Sequence, residues 1–210
     1  MRPKAMAETV LAFDTSAAHC AAALLLPDGR VLTRLEPMEK GQAERLMPLL
    51  EELLQAAGLG WSDLTRLAVG TGPGNFTGVR IAVAAARGLA LGLGIPALGI
   101  TRLEALAFGL PRPITVVEDA RRGEVYVQAF GSEMSEALLL DGSDLSHMLD
   151  TPHLTGSAAG PAALPPAVPL AEAMARLAAA RALPQPRPAP FYLRGADAAP
   201  PSDPPPVILP

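Results

Sequence analysis

The chain has 210 residues, 17 basic against 21 acidic, for a formal net charge of −4 at pH 7. Half of its residues are apolar and its mean hydropathy is +0.27, which excludes disorder throughout and requires a buried core in one medium domain or two small ones. No Lys/Arg run exceeds the pair Arg121-Arg122, so the electrostatic footprint of direct, high-affinity nucleic-acid binding is missing and any RNA role is expected to be shared with a partner.

The first residues read as three consecutive strands over 8 to 14, 20 to 26 and about 30 to 36, the last two joined by the tight-turn signal Pro27-Asp28-Gly29. Between about Gly41 and Ala57, apolar residues recur at helical spacing, with a kink or restart expected at Pro48. A short buried strand, Leu67-Ala68-Val69, leads into a glycine-rich loop, and a second helix is expected from about Phe76 to Leu93. Another strand at 97 to 100 and a short helix at 102 to 108 complete a β-β-β-α-β-α-β-α order, which predicts one mixed α/β sheet flanked by helices.

A looser second block follows Pro111 and Pro113. Strands are expected at 114 to 118, 124 to 130, 136 to 140 and 154 to 156, and a helix near 170 to 183. Of the 23 prolines, 14 lie after residue 160, so the final fifty residues contain extended segments. The expected division is 1-110, 111-199 and a Pro-rich tail, 200-210.

The longest uncharged apolar stretch, residues 88 to 100, is broken by Gly92, Gly94, Pro96 and Gly99 and falls short of the ~20 residues a spanning helix needs. No apolar leader precedes the first strand, so the expected location is cytoplasmic. The single cysteine, Cys20, sits in an apolar run and reads as a small buried hydrophobe. His19, His147 and His153 show no metal-ligand spacing, so no metal site and no cofactor are expected.

Two stretches admit chemistry. Asp14-Thr15-Ser16 ends the first strand, where a carboxylate and two hydroxyls either bind a metal-phosphate complex or cap the turn. The loop Gly72-Pro73-Gly74-Asn75-Phe76-Thr77-Gly78 runs from strand to helix start, a place that favours an anion but lacks the Walker ending; its other reading is a tight turn capped by Asn75 or Thr77. From Gly78 to Leu93 the charged residues are Arg80 and Arg87 alone. A helix so nearly apolar all round is buried nearly all round, and its small residues leave room for a second helix, which predicts an interface with another chain unless the neighbouring helix at 41 to 57 covers it alone.

Together, Leu11-Ala12-Phe13-Asp14-Thr15-Ser16, the loop from Gly72 to Arg80, Asp119-Ala120-Arg121-Arg122-Gly123-Glu124-Val125-Tyr126 and Tyr192-Leu193-Arg194-Gly195-Ala196-Asp197-Ala198 resemble the bacterial TsaB (YeaZ) family. The resemblance implies the actin-like (ASKHA) superfold of actin, heat-shock chaperones and sugar kinases, with a smaller, degenerate second domain. It also implies a non-catalytic dimerisation subunit in threonylcarbamoylation of the adenosine beside the anticodon. Its partners would be a TsaD-like catalytic paralogue, a TsaE-like ATPase, tRNA through the complex, and a possible homodimer through the same helices.

On that resemblance the interface is expected at Leu46, Leu49, Leu50, Leu53, Val79, Ala82, Val83, Ala86 and Ala90. A vestigial or shared phosphate site is expected at Asp14, Thr15, Gly72, Gly74, Asn75 and Thr77. Gly41-Gln42-Ala43-Glu44 stands where many relatives have His-Ser. The rival expectations are an ATP-dependent phosphotransferase or ATPase of the superfold using Asp14, and a peptidase, for which no nucleophile-base pair is visible.

Overall fold

A computed structural model of the chain describes residues 8–147 and 151–194; the tail at 200–210 lies outside the described residues. Strands β1 (Val10–Asp14), β2 (His19–Leu25) and β3 (Val31–Pro37) form an antiparallel meander. β4 (Arg66–Gly70) pairs parallel with β1, and β5 (Ala97–Ile100) parallel with β4, giving the order β3-β2-β1-β4-β5. Helices α1 (Gln42–Ala56), α2 (Phe76–Leu93) and α3 (Arg102–Ala107) occupy the connections.

Period-2 alternation decides what each face of this sheet buries. Leu11 and Phe13 of β1, with Leu67 and Val69 of β4, pack under Leu46, Leu49, Leu50 and Leu53 of α1 and Val79, Ala82, Val83 and Ala86 of α2. Val10, Ala12 and Ala68 point the other way, onto Ala171, Met174, Ala175 and Ala178 of a fourth helix, α4 (Leu170–Ala180). β1 is therefore buried on both faces.

The position of α4 corrects the expected division. Drawn at residue 110, that boundary hands α4 to the second block, yet the chain carries it back to cover the open face of the first sheet. Small residues make the docking close: alanines on α4 meet alanines on β1, β2 and β4. Arg66, itself buried, fixes the helix end by donating to the carbonyls of Ala178 (2.6 Å) and Arg181 (2.8 Å) while pairing with Glu8.

The kink expected at Pro48 is absent as a break: α1 runs unbroken from Gln42 to Ala56. Pro48 and Glu44 both lie on the solvent side, so the carbonyl that proline leaves without a donor faces water.

The second sheet runs β8-β7-β6-β9, with β6 (Ile114–Arg121), β7 (Glu124–Phe130), β8 (Leu138–Asp141) and β9 (His153–Thr155). β6 continues three residues past its expected end at 118, because the hairpin with β7 closes only at Arg121–Glu124. Leu103, Leu106 and Ala107 of α3 pack on Ile114, Val116 and Phe130 and so join the two sheets.

Cys20 is fully buried in the core under α1. Burial, then the nearby Glu36 carboxylate, pushes its thiol up to about 11. A thiol reagent at pH 8 is expected to leave Cys20 unmodified in the native chain and to react once denaturant is added. Reaction at the same rate in both conditions would contradict the packing.

Candidate functional site

The end of β1 and the start of α2 meet in a space with no slack. Asp14 is fully buried; its Oδ1 accepts from the Ser16 amide (3.1 Å), the Ser16 hydroxyl (2.9 Å) and His19 Nε2 (2.9 Å). Burial alone would raise the Asp14 carboxyl, but the hydrogen bond and charge of His19, the charge of Arg102 and the Ser16 hydroxyl together hold it below its ordinary value of 3.8. Its Oδ2 is buried without a partner and lies against Gly70, where a Cβ would stand 1.9 Å from it.

The glycine-rich loop closes on the same turn. Thr15 Oγ1 donates to the Gly78 carbonyl (2.6 Å), and the Asn75 amide donates to the Ser16 carbonyl (2.6 Å). Asn75 Oδ1 accepts from the Gly78 amide (2.9 Å) and caps α2. A Cβ on Gly74 would lie 2.4 Å from the Ser16 carbonyl oxygen, and one on Gly78 1.9 Å from that of Thr15. Gly72, at φ +94°, accepts from the Arg102 amide.

Five of the six residues expected to hold phosphate, Asp14, Thr15, Gly72, Gly74 and Asn75, are thus brought together, but against one another. The glycines at 74 and 78 admit the carbonyls of Ser16 and Thr15. Thr77 stands apart on the surface, lining an open cleft of about 330 Å³ with Lys40, Gln42 and Asn75 between the starts of α1 and α2. Ser16 and His19 both donate to Asp14 instead of Ser16 to His19, so these two do not form a nucleophile-base pair.

Sequence reasoning missed the far side of this turn. Arg102, at the start of α3, donates from Nε to Glu118 Oε2 (2.6 Å) on β6, and Glu118 Oε1 accepts from the Ser157 amide (2.7 Å). A buried run of charge therefore crosses from the first sheet to the second. Nothing in the spacing of Arg102 and Glu118 signals it, because the pair forms only once two separate sheets have docked. Gly156-Ser157-Ala158-Ala159-Gly160 is a turn hooked on β6: the Ala158 amide donates to the Val117 carbonyl. Among the described residues no group of three or more His, Cys, Asp or Glu gathers at metal-binding distance.

The expected interface residues need a larger correction. Leu46, Leu49, Leu50, Leu53, Val79, Ala82, Val83 and Ala86 are all buried in the chain's own core, turned to the sheet, so they cannot meet a partner; Ala90 alone is partly exposed. What α2 presents outward is the opposite stripe, Ile81, Ala84, Gly88, Leu91 and Gly92, with Leu91 86% exposed. α2 is 18 residues long with a hydropathy of 1.4 and only 28% of it buried. By length and composition it could cross a membrane, since its apolar run continues N-terminal to Arg87. Its buried side is nevertheless an integral layer of the first sheet.

A family model described as TsaD, tRNA N6-adenosine threonylcarbamoyltransferase, matches residues 36–192. YeaZ from Pseudomonas aeruginosa is 34% identical, with a TM-score of 0.62 over 71% of this chain and 75% of its own. The chain belongs to the TsaB/YeaZ family. A second solved structure, of an uncharacterized protein with similarity to peptidase YEAZ from the same organism, is 29% identical with a TM-score of 0.67, covering 89% of this chain and 100% of its own.

Curated relatives named tRNA threonylcarbamoyladenosine biosynthesis protein TsaB are 38% identical over 122 residues in Escherichia coli and 40% over 124 residues in Bacillus subtilis. The chain spans about half the length of those curated relatives, 52% and 53%. Like YeaZ from Pseudomonas aeruginosa it has a mixed α/β fold, here with its first five strands in the order β3-β2-β1-β4-β5.

Proposed function

We propose that this chain is the non-catalytic, dimerising subunit of a cytoplasmic complex that makes threonylcarbamoyladenosine in tRNAs reading codons that start with A. A TsaD-like paralogue carries the chemistry, a TsaE-like ATPase joins, and a second copy of the chain competes for the same surface. The observation that carries the reading is α2: an apolar, largely uncovered helix whose outward stripe sets the small residues Ala84, Gly88 and Gly92 beside Leu91. The curated relatives' role in tRNA threonylcarbamoyladenosine biosynthesis supplies the reaction.

The geometry supports a scaffold. The sheet and α1 hold α2 rigid from behind through Val79, Ala82, Val83 and Ala86. In front, Ala84, Gly88 and Gly92, at successive four-residue steps, let another helix approach closely. The self-paired polar groups of the Asp14 turn support a subunit whose part is to bind its partner.

Gly88→Trp tests it. A Cβ at Gly88 meets no atom within 4 Å, so the monomer accommodates the indole, whereas a docked helix does not. The expected result, by light scattering of the chain mixed with its TsaD-like paralogue, is loss of the heterodimer with an unchanged melting temperature. A variant that pairs with the affinity of the parent would sink the helical-interface reading. Ala82→Glu or Ala86→Trp would not serve, since both strike the core.

A further inference from the structure

The N-terminal end of α2 carries a second surface feature. Phe76 and Tyr192 are large aromatic residues left 40% and 42% exposed, with ring centroids 5.0 Å apart and planes tilted by 35°. The Arg80 guanidinium lies 3.6 Å over the Phe76 ring and 5.9 Å from the centre of Tyr192, and its Nε donates to the Tyr192 hydroxyl at 3.0 Å. Two exposed rings and a guanidinium are therefore preorganised as one stack.

Its charge is unanswered. Arg30, Arg45 and Arg176, among others, pair with carboxylates; Arg80 has no acidic partner among the described residues. The segment that delivers Tyr192 also ties down a second cationic point. Two residues on, Arg194 donates to the Ala120 carbonyl and pairs with Glu124, fixing the β6–β7 hairpin whose exposed tip begins at Arg121. Arg121 sits at φ 63°, an uncommon conformation for a non-glycine residue. Its amide donates to Asp119, while its side chain has no carboxylate partner among the described residues.

Flat aromatic faces backed by guanidinium groups are how proteins hold unpaired nucleotides: bases stack on the rings and phosphates meet the cations. We propose that Phe76, Arg80 and Tyr192, with Arg121 at the neighbouring hairpin tip, form a platform for an unpaired RNA segment. The choice of RNA rests on the reading of the chain as a subunit of a tRNA-modifying complex. The chain's net charge of −4 is compatible with it, because the platform is local and the affinity of one module is modest.

The test is fluorescence anisotropy of the full chain with a labelled RNA stem-loop and with a fully paired RNA of the same length, at low and moderate salt. The account predicts that the stem-loop binds better than the duplex. Tyr192→Leu should weaken stem-loop binding roughly 10-fold, as loss of one stacked base does. Tyr192→Phe, which keeps the ring, should restore most of it. Arg80→Gln should flatten the log–log salt dependence by about 0.7.

Gly88→Trp should bind the stem-loop as the parent does, which separates failure of the pairing surface from failure of the platform. Equal affinity for duplex and stem-loop, unchanged binding by Tyr192→Leu in a chain that melts normally, or a Tyr192→Leu defect confined to association with the TsaD-like paralogue would each overturn the proposal, the last by making the stack a protein contact.

Discussion

Gly78→Ala will destabilise the chain by about 3 kcal/mol, whereas Gly88→Ala, the same change ten residues later in the same helix, will stabilise it by about 0.8 kcal/mol. Propensity favours alanine at both positions, so only the surroundings decide the sign. At Gly78 the added methyl would stand 1.9 Å from the Thr15 carbonyl oxygen, a backbone atom held by strand β1 and unable to step aside. At Gly88 there is open space. Urea unfolding of both variants checks the pair; a Gly78→Ala chain with a midpoint equal to the parent's would show that turn and loop are not locked together.

Asp14→Asn is expected to cost about 3 kcal/mol at neutral pH, the scale for breaking a buried charged pair. The side chain is fully buried and receives three hydrogen bonds that favour its ionised form. The sign of the pH dependence follows from the depressed pKa. Ionised Asp14 is favoured in the folded state, so its contribution is complete above its ordinary value of 3.8 and is lost as pH falls through the lower folded value. The gap between parent and Asp14→Asn should therefore be widest above about pH 5 and close in stronger acid. A gap that persists undiminished into acid, or widens there, would mean that the charge of Asp14 is not what the turn depends on. Purified Asp14→Asn and parent chains are both expected to leave Mg-ATP unhydrolysed.

These effects also explain how far the sequence could be followed. The run from β1 to α3 was legible because each element carries its own signal: a short continuous apolar run in VLAFD, a period of about 3.6 from Gln42 to Ala56, with Gly58 and Gly94 as stops. The loop and turn motifs were found, since glycines at a strand-to-helix junction are visible in sequence. Their role was not, because whether a glycine admits a ligand or the chain's own carbonyl depends on a strand sixty residues away. The interface residues expected on α2 proved to lie on its buried side, and the proposal moves to the exposed stripe of the same helix. Where α2 is apolar on all sides, hydrophobicity cannot tell the side that meets Leu11 and Leu67 from the side that shows Leu91.

Long-range docking was harder still. α4 was seen as a helix, but its alanine face fits equally the sheet before it or the one after it. Only the tertiary fit to Ala12, Ala23 and Ala68, and the grip of Arg66 on its last turn, place it on the first sheet. Tyr192 likewise joins Phe76 and Arg80 from more than a hundred residues away, a juxtaposition that no local pattern encodes.

The central claim is that the outward stripe of α2 is where this chain meets its partner. Hydroxyl-radical footprinting of Leu91, 86% exposed in the isolated chain, tests it most directly when the monomeric chain is compared with its mixture with the TsaD-like paralogue. The account predicts strong oxidation of Leu91 alone and clear protection in the mixture, with the core residues Leu49 and Ala86 silent in both. A complex that forms and leaves Leu91 oxidised as before would contradict it.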